Sequence, residues 1–337
     1  MKTSRPAFLR RLAASGPFGF GASTLGNLYR RIDDDQARAT VNAAWDQGVR
    51  YFDTAPFYGF GLSERRLGDA LRERPRDAFI LSTKVGRLLV PATAAKERFG
   101  FHSPMPFDPV YDYSYDGVMR SVEASLHRLG LAHIDVLLMH DLGRLTHGAD
   151  HDRTFAEAVG GGFRAMTELR DAGVVSAIGL GVNEISVCEA SLAYVDFDLL
   201  MIAGRYTLLE QEAEPFLAQC RTQRIGLIGA GVFNSGILAT GTQGGSPHYD
   251  YGVASEEVIG RVAAIERCCE QFEVPLPAAA LQFAAAHPAV ATVVLGTGSP
   301  DRIEQTANLM QLPIPNGFWE ALRAEGLVNG DCPTPSV

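Results

Sequence analysis

The feature that most constrains the fold is a regular alternation of short apolar segments with longer amphipathic ones. We predict eight strands, at residues 18–24, 49–52, 78–84, 134–139, 174–181, 197–203, 225–230 and 290–295. Strands that alternate with helices of 10–15 residues indicate βαβ units and a parallel sheet. The early G-x-G-x-x-G and distant acid of a dinucleotide-binding fold do not occur, so eight such units favour a closed (β/α)8 TIM barrel. A doubly wound open sheet is the alternative.

A chain of 337 residues could form two domains or one barrel. We predict a single domain over residues 1–337, with residues 1–16 as a short leader into the first strand. Two long connections, residues 86–115 and 231–254, leave the C-terminal ends of predicted strands. Long loops on that face of a barrel are usually lids or specificity loops.

The composition argues against some classes of partner and for one type of cellular compartment. The formal net charge is −9, which argues against a nucleic-acid or anionic-membrane surface. The five cysteines are odd in number and form no C-x-x-C pair, which is typical of a reducing compartment. The leader has basic residues but no apolar core of a signal peptide, and no apolar run approaches the ~20 residues that span a bilayer. We predict a cytoplasmic monomer or homodimer that acts on a small molecule.

Polar side chains follow three consecutive predicted strands. Asp53 ends the second strand and Tyr58 lies on the loop behind it, Lys84 ends the third strand, and His140 ends the fourth. Because the C-terminal ends of barrel strands converge on one mouth, we expect these four side chains to lie close together. Each alone could be a cap or a packed side chain, but four in register indicate a functional site.

These four residues are suited to proton transfer. A phenol normally loses its proton near pH ~10, and a neighbouring ammonium lowers that pKa. We therefore predict that Lys84 lowers the pKa of Tyr58, that Asp53 keeps Lys84 charged, and that His140 orients a substrate oxygen. Together with a hydride carrier, such a group predicts a dehydrogenase or reductase.

Two other classes of protein remain as alternatives. A non-catalytic cofactor-binding subunit has no use for an acid/base tyrosine. Metal-dependent hydrolysis needs several His or Asp ligands at strand ends, and the remaining histidines do not fall there in pairs. We predict no metal.

The chain resembles the aldo-keto reductase superfamily, whose members are nicotinamide-dependent (β/α)8 barrels. The matching segments, YFDTAPFYG, LSTKVG, DVLLMHD and GTGSPDRIEQ, are spread over nearly the whole chain. The resemblance implies a catalytic tetrad of Asp53, Tyr58, Lys84 and His140, with Tyr58 as the acid/base.

Within the superfamily, GASTLGNLY, STKVGRLL, AGRYTLLEQ and GAGVFNSGIL are similar to the aldose 1-dehydrogenase branch. That branch includes L-fucose (D-threo-aldose) dehydrogenases and pyridoxal 4-dehydrogenases, which oxidise a cyclic hemiacetal to a lactone. The resemblance implies oxidation of an aldose at its anomeric hydroxyl. Oxidation of pyridoxal, or general aldehyde and ketone reduction, is the alternative.

The resemblance also implies a cofactor site. Its predicted residues are Asn183, Ala230, Gly231, Val232, Phe233, Asn234, Gly296, Thr297, Gly298, Ser299, Arg302, Gln305 and Thr306. Asn183 matches the family's carboxamide ligand, but Val182 replaces the usual serine, Ala203 the usual glutamine and Ala230 the usual stacking aromatic residue.

The turn at 296–299 precedes a helix N-terminus, which suits phosphate. Arg302 matches the family residue that pairs with the 2′-phosphate of NADP. A basic residue usually begins the turn, but here that position is Gly296. One cation instead of two weakens 2′-phosphate binding, so we predict NAD, with NADP as the alternative.

Sugar hydroxyls need several polar partners. Polar or aromatic candidates near the predicted mouth are Asn27, Tyr29, Phe57, Asp141 and Arg205. The aromatic segment HSPMPFDPVYDYSY, in the first long connection, could stack on a sugar face or a pyridine ring equally well.

Overall fold

Eight parallel strands close into a barrel, as predicted. The computed structural model describes residues 4–92, 97–243, 248–250 and 252–335. The barrel strands are β1 Gly19–Gly21, β2 Tyr51–Asp53, β3 Ile80–Val85, β4 Val136–His140, β5 Ala177–Val182, β6 Leu199–Ala203, β7 Gly226–Ala230 and β8 Val290–Leu295. Each pairs in parallel with its neighbours in sequence, and β8 closes on β1. The open-sheet alternative is wrong.

Helices surround the strands. In the described residues they are α1 Arg5–Ala13, α2 Asp34–Asp46, α3 Leu62–Leu71, α4 Tyr115–Leu129, α5 Arg144–His147, α6 His151–Glu157, α7 Phe163–Asp171, α8 Ile185–Ser191, α9 Glu214–Gln223, α10 Ile237–Thr240, α11 Glu256–Gln271, α12 Leu276–Ala286, α13 Pro300–Gln311 and α14 Asn316–Ala324. One large apolar cluster fills the space between strands and helices. That cluster holds the strand ends in place.

Side-chain caps determine where two of the longer helices begin. The Asp33 carboxylate accepts a hydrogen bond from the Gln36 amide at 2.7 Å, and the Ser114 hydroxyl accepts one from the Gly117 amide at 3.0 Å. Each bond satisfies a backbone donor that the first helical turn leaves unpaired. Ser63 is a good capping residue by type, but it lies inside α3 and donates to the Ala22 carbonyl at 2.6 Å.

The predicted leader contains a helix that the sequence pattern did not reveal. Phe8 and Leu12 of α1 are buried in a second apolar cluster, which includes Tyr51, Ile80 and Val136 from the first residues of barrel strands. Helix α1 therefore covers the N-terminal end of the barrel. That all of residues 1–337 form one domain stays a prediction.

The two long connections carry structure of their own. In the first, Arg87–Pro91 pairs antiparallel with Phe107–Tyr111, and Glu97–Arg98 pairs with Phe101–His102. The second contains α10 and a short antiparallel pair, His248–Tyr249 with Gly252–Val253. The predicted excursions at 86–115 and 231–254 thus leave β3 and β7, at the mouth formed by the C-terminal strand ends.

Candidate active site

Two glycines place Tyr58 at the mouth. The loops after β1 and β2 cross backbone to backbone at Gly26 and Gly59, where a Cβ on Gly26 would lie 2.5 Å from the Tyr58 carbonyl carbon. Gly59 also has a φ of +63°, a conformation that side chains disfavour. A larger residue at either position would separate the loops and displace Tyr58.

Asp53 and Lys84 form a buried ion pair. Lys84 Nζ donates to Asp53 Oδ2 at 2.6 Å and to the Thr54 carbonyl at 3.0 Å. The other carboxylate oxygen, Asp53 Oδ1, accepts from Ser82 Oγ at 2.7 Å, and that hydroxyl shares a hydrogen bond of 2.8 Å with the Tyr51 hydroxyl. Lys84 makes two hydrogen bonds of its own, and Ser82 in turn holds the Asp53 carboxylate. The ammonium is therefore held in one place.

Tyr58 lies close to both Lys84 and His140. Lys84 Nζ is 4.9 Å from the centre of the Tyr58 ring. The rings of Tyr58 and His140 meet edge to face, with their centres 5.9 Å apart. The structure therefore brings together the four residues that the sequence placed at the barrel mouth, and their catalytic roles remain predictions.

Desolvation dominates the acid–base properties of this group. It raises the pKa of Tyr58 to about 12, and the opposing effects of the Lys84 charge and hydrogen bond do not compensate. The expected net lowering of the Tyr58 pKa is therefore wrong in direction, although Lys84 acts in the predicted sense. The phenol is protonated at neutral pH.

His140 is neutral in this site. Burial lowers the pKa of His140 well below its usual value, and the positive charges of Arg87 and Lys84 lower it further. A neutral imidazole has one N–H donor and one acceptor nitrogen. His140 can thus donate a hydrogen bond to a substrate oxygen without carrying a charge.

Asp141 and Phe57, two of the predicted substrate residues, lie beside the tetrad, and their contact with substrate remains a prediction. Asp141 Oδ2 is 3.5 Å from His140 Nε2 and accepts a 2.6 Å hydrogen bond from Arg87 Nη2. The Phe57 and His140 rings are 6.3 Å apart in an edge-to-face contact. Arg87 was not predicted, although the quoted segment STKVGRLL contains it three residues after Lys84.

A cavity of about 300 Å³ opens next to this group. Its lining residues include Asp141, Val182, Asn183, Arg205 and Asp250. Arg205 Nε donates to the Asn183 carbonyl at 2.6 Å, and its Nη2 lies 3.1 Å from Asp250 Oδ1. Arg205 was predicted to contact the substrate. In the structure it contacts Asn183, which is the predicted ligand of the cofactor carboxamide.

The other two substrate candidates lie in the loop after β1. The buried Asn27 amide donates to the His102 carbonyl, and its oxygen accepts from the Ile32 amide and from Arg66. Asn27 therefore connects the loop after β1 to the first long connection and to α3. Tyr29 is 64% exposed and its amide donates to the Gly100 carbonyl.

Apart from Asn183, which follows β5 and lines the cavity, the predicted cofactor residues lie in two places. The segment 231–234 follows β7, where Val232 is buried and the Asn234 side chain accepts from Thr207 Oγ1 and donates to the Gly204 carbonyl. The turn at 296–299 follows β8 and leads into α13, with Pro300 in its first turn.

The surroundings of this turn suit a phosphate group. Helix α13 has 12 residues, so its N-terminal amides and dipole are available to an anion. A Cβ at Gly296 would meet the Gly21 carbonyl at 3.2 Å and Ser23 Oγ at 3.4 Å, so a side chain there would crowd the turn. Arg302 is exposed in the first turns of α13, with Gln305 and Thr306 one turn further on. The residues present therefore fit a nicotinamide dinucleotide.

Sequence reasoning missed two further side chains at the turn. Arg30 Nη2 and Gln36 Nε2 both donate to the Gly298 carbonyl, at 3.2 and 2.6 Å. They come from the loop after β1 and from α2, far away in the sequence. No local pattern signals such a contact.

The described residues hold neither a membrane-spanning helix nor a cluster of metal ligands. No helix among them is long and apolar enough to cross a bilayer. Nor do they contain a group of three or more His, Cys, Asp or Glu side chains that could hold a metal ion.

Known proteins match the chain over most of its length. The family model described as "Aldo/keto reductase family" matches residues 17–325. A pyridoxal 4-dehydrogenase from Microbacterium luteolum is 45% identical over 92% of this chain and 94% of its own. A D-threo-aldose 1-dehydrogenase from a Pseudomonas species is 40% identical over 99% of this chain and 100% of its own.

Solved structures agree on the fold. The holo form of an aldo-keto reductase from Bacillus halodurans superposes with a TM-score of 0.71 at 24% identity, covering 93% of this chain and 92% of that one. The family match spans all eight barrel strands. The chain therefore belongs to the aldo/keto reductase family and is a nicotinamide-dependent oxidoreductase that acts on CH–OH groups.

Proposed function

We propose that the protein oxidises the hydroxyl of a cyclic hemiacetal to a lactone, by hydride transfer with Tyr58 as the proton acceptor. The observation that carries this proposal is the buried 2.6 Å contact between Lys84 and Asp53, with Tyr58 and His140 beside it. A buried ammonium beside a phenol and a neutral imidazole is suited to proton transfer, whereas a packed core has no need of these groups.

Each side chain has a distinct task in the oxidation. The neutral His140 donates a hydrogen bond that orients the substrate hydroxyl. Tyr58 accepts the hydroxyl proton in its phenolate form as hydride leaves the carbon, and becomes the neutral phenol. Lys84 stabilises the phenolate from which the oxidation starts, and Asp53 keeps Lys84 charged and in position. Bound nicotinamide supplies the hydride acceptor.

NAD is the proposed cofactor, with NADP as the alternative. Arg302 is the cation of the first turns of α13, and Gly296 stands where a second is usual. Arg30 is also near the turn, but its Nη2 is engaged with the Gly298 carbonyl. An Arg302→Ala variant should raise KM for NADP and leave KM for NAD almost unchanged. If KM for NAD rises equally, the proposed role of Arg302 is wrong.

The names of the relatives support a hemiacetal substrate. One is a pyridoxal 4-dehydrogenase and another a D-threo-aldose 1-dehydrogenase. Aldoses such as L-fucose form ring hemiacetals, and pyridoxal closes one between its aldehyde and its 5-hydroxymethyl group. An enzyme that takes either compound removes hydride from a ring carbon that carries one hydroxyl and one ring oxygen.

The proposal is tested by assaying pyridoxal, L-fucose and other aldoses with NAD and NADP. We expect steady formation of reduced cofactor with at least one hemiacetal and a lactone as the product. Turnover confined to the reduction of open-chain aldehydes or ketones would contradict hemiacetal oxidation. No turnover in either direction would favour a non-catalytic binding protein.

We further propose that the enzyme works in the cytoplasm as a monomer or homodimer. Its five cysteines are buried free thiols, which supports a reducing compartment. Light scattering coupled to size exclusion measures the oligomeric state. A larger assembly would contradict that part of the proposal.

A further inference from the structure

Arg87 has hydrogen-bonding capacity that the residues described in the structure do not use. Its side chain is only 4% exposed, and Nη2 donates to Asp141 Oδ2. Its other two nitrogens, Nε and Nη1, are buried without a hydrogen-bond partner among the described residues. Buried donors without partners are costly, so they are rare unless a ligand satisfies them.

The Arg87 guanidinium lies beside the proposed proton-transfer group. Asp141 Oδ2 lies within reach of both Arg87 Nη2 and His140 Nε2, at 2.6 and 3.5 Å. Asp141 also lines the cavity at the mouth and has a φ of +45°, a conformation that is uncommon outside glycine. Arg87 and His140 therefore face one region.

Aromatic rings surround the same cation. The guanidinium carbon of Arg87 lies 4.1 Å from the centre of the Phe57 ring and 5.2 Å from that of Tyr111. Phe57 in turn meets Phe99 and Phe101 edge to face, with ring centres 5.7 and 5.4 Å apart. Phe57 is half-buried and Phe99 is 69% exposed, so this aromatic wall reaches from His140 to the rim.

A cation with unpaired donors beside an aromatic wall suits a flat ring that carries a negative oxygen. The ring stacks on aromatic side chains, and the oxygen accepts charge-assisted hydrogen bonds, which are about twice as strong as neutral ones. A sugar hydroxyl is neutral and lacks a flat π-face. Pyridoxal has both features, because its 3-hydroxyl is ionised at neutral pH.

We propose that Arg87 determines substrate specificity by binding the ionised ring hydroxyl of a 3-hydroxypyridine hemiacetal, so that pyridoxal is preferred over aldoses. This inference rests on the proposed hemiacetal oxidation and names its substrate. Arg87 binds the ionised hydroxyl of the pyridine ring, whereas His140 and Tyr58 act on the hemiacetal hydroxyl that is oxidised.

The test uses an unreactive ligand, so that binding is measured apart from turnover. The ligand is 4-deoxypyridoxine, which lacks the aldehyde but keeps the 3-hydroxyl. Its 3-O-methyl ether is the matched control, since it has the same ring without the negative oxygen. Calorimetric titration of both into the enzyme–NAD⁺ complex should give about ten- to a hundredfold tighter binding of the parent compound, as expected for hydrogen bonds to a charged group.

Three variants test whether Arg87 is the residue that discriminates between the two ligands. Arg87→Met should bind the two ligands equally and lower kcat/KM for pyridoxal about ten- to a hundredfold, with L-fucose turnover changed much less. Arg87→Lys keeps the charge without the planar fork and should show intermediate discrimination. Arg72→Met removes an exposed arginine that follows α3 and pairs with Asp69, and it should behave as wild type.

The outcomes separate this inference from the proposed function. Equal affinity of the wild type for the two ligands overturns the role of Arg87, whether or not the variants fold. So does an L-fucose kcat/KM that matches or exceeds that of pyridoxal. Pyridoxal turnover that survives in a folded Arg87→Met variant overturns the inference and leaves hemiacetal oxidation standing. Turnover of neither substrate class contradicts the proposed function itself.

Discussion

Lys84 Nζ lies 2.6 Å from Asp53 Oδ2, and the two side chains are 2% and 4% exposed. Burial tends to lower the pKa of a lysine, but the Asp53 charge and hydrogen bond, together with Tyr58, raise the Lys84 pKa above its ordinary value. The ammonium is therefore permanently charged at physiological pH. The Asp53 carboxylate thus helps to keep that charge beside the phenol.

Removing one partner of this pair should destabilise the fold. Asp53→Asn keeps the side-chain size but leaves a buried ammonium without its counter-charge, which costs about 3–5 kcal/mol. Urea titration should show a fall of that size in the free energy of unfolding. The control is Asp34→Asn, because Asp34 is 83% exposed in its pair with Arg66, and its loss should cost about 1 kcal/mol or less. Equal effects would mean that the buried pair contributes no more than a surface pair.

Tyr58→Phe should abolish most of the turnover and leave cofactor binding intact. Loss of a general acid–base group lowers rates by about 10²–10⁴-fold, whereas the ring and its contact with His140 remain. Steady-state assays measure the rate, and quenching of protein fluorescence measures cofactor affinity. Tyr194→Phe, at a position 59% exposed, is the matched control and should retain wild-type turnover. A Tyr58→Phe enzyme with undiminished turnover would falsify the assignment.

Turnover should depend on pH in the oxidative direction and stay level in the reductive direction. The Tyr58 pKa is about 12, so the phenolate that accepts a proton becomes more abundant as pH rises from 7 to 10. The oxidative kcat/KM should rise over that range, by up to about tenfold per pH unit, and the reductive one should stay level. Initial rates in buffers of constant ionic strength measure both. An oxidative plateau already reached at pH 8 would show that the working base has a much lower pKa.

His287 should make stability fall in mild acid. Burial lowers the pKa of His287 to about 4, below its usual value of 6.5, so the unfolded chain binds a proton that the folded chain does not. The resulting stability is present above pH 6.5 and is lost as pH falls toward about 4, at up to about 1.4 kcal/mol per pH unit. His287→Asn keeps an acceptor for the Ala289 amide and should flatten this slope. Denaturant titrations at pH 4.5, 5.5 and 6.5 compare the two proteins, and parallel slopes would contradict the assignment.

Two helix glycines should respond in opposite directions to alanine. A Cβ at Gly68 of α3 would lie 1.9 Å from the Leu129 carbonyl oxygen of α4, so Gly68→Ala must push the two helices apart. Overpacking of this kind costs about 1–3 kcal/mol or more. Among the described residues, nothing beyond its own helix lies within 4 Å of where a Cβ on Gly260 of α11 would stand. Gly260→Ala should therefore stabilise the protein by about 0.5–1 kcal/mol. Thermal melts distinguish them, and a melting temperature that changes in the same direction for both would contradict the packing argument.

The barrel and its four-residue group follow from information that is local in the chain. Alternating strands and helices identify a parallel barrel, and a polar residue at a strand's end must then lie at the common mouth. Asp53, Lys84 and His140 are therefore predictable from strand boundaries alone. Helix α1 escaped prediction because its sequence is only weakly amphipathic and it is stabilised by packing across the barrel end.

The sequence by itself thus determined the fold, the family and which residue types meet at the mouth. Only the tertiary structure decided the pKa values of those groups and the hydrogen bonds around them. Desolvation outweighs the Lys84 charge at Tyr58, and Arg87 reaches Asp141 and Phe57 with two donors left unpaired among the residues that the structure describes. The physical reason is that burial, and contacts between residues far apart in the chain, depend on the whole packed molecule, whereas strand periodicity depends on neighbouring residues alone.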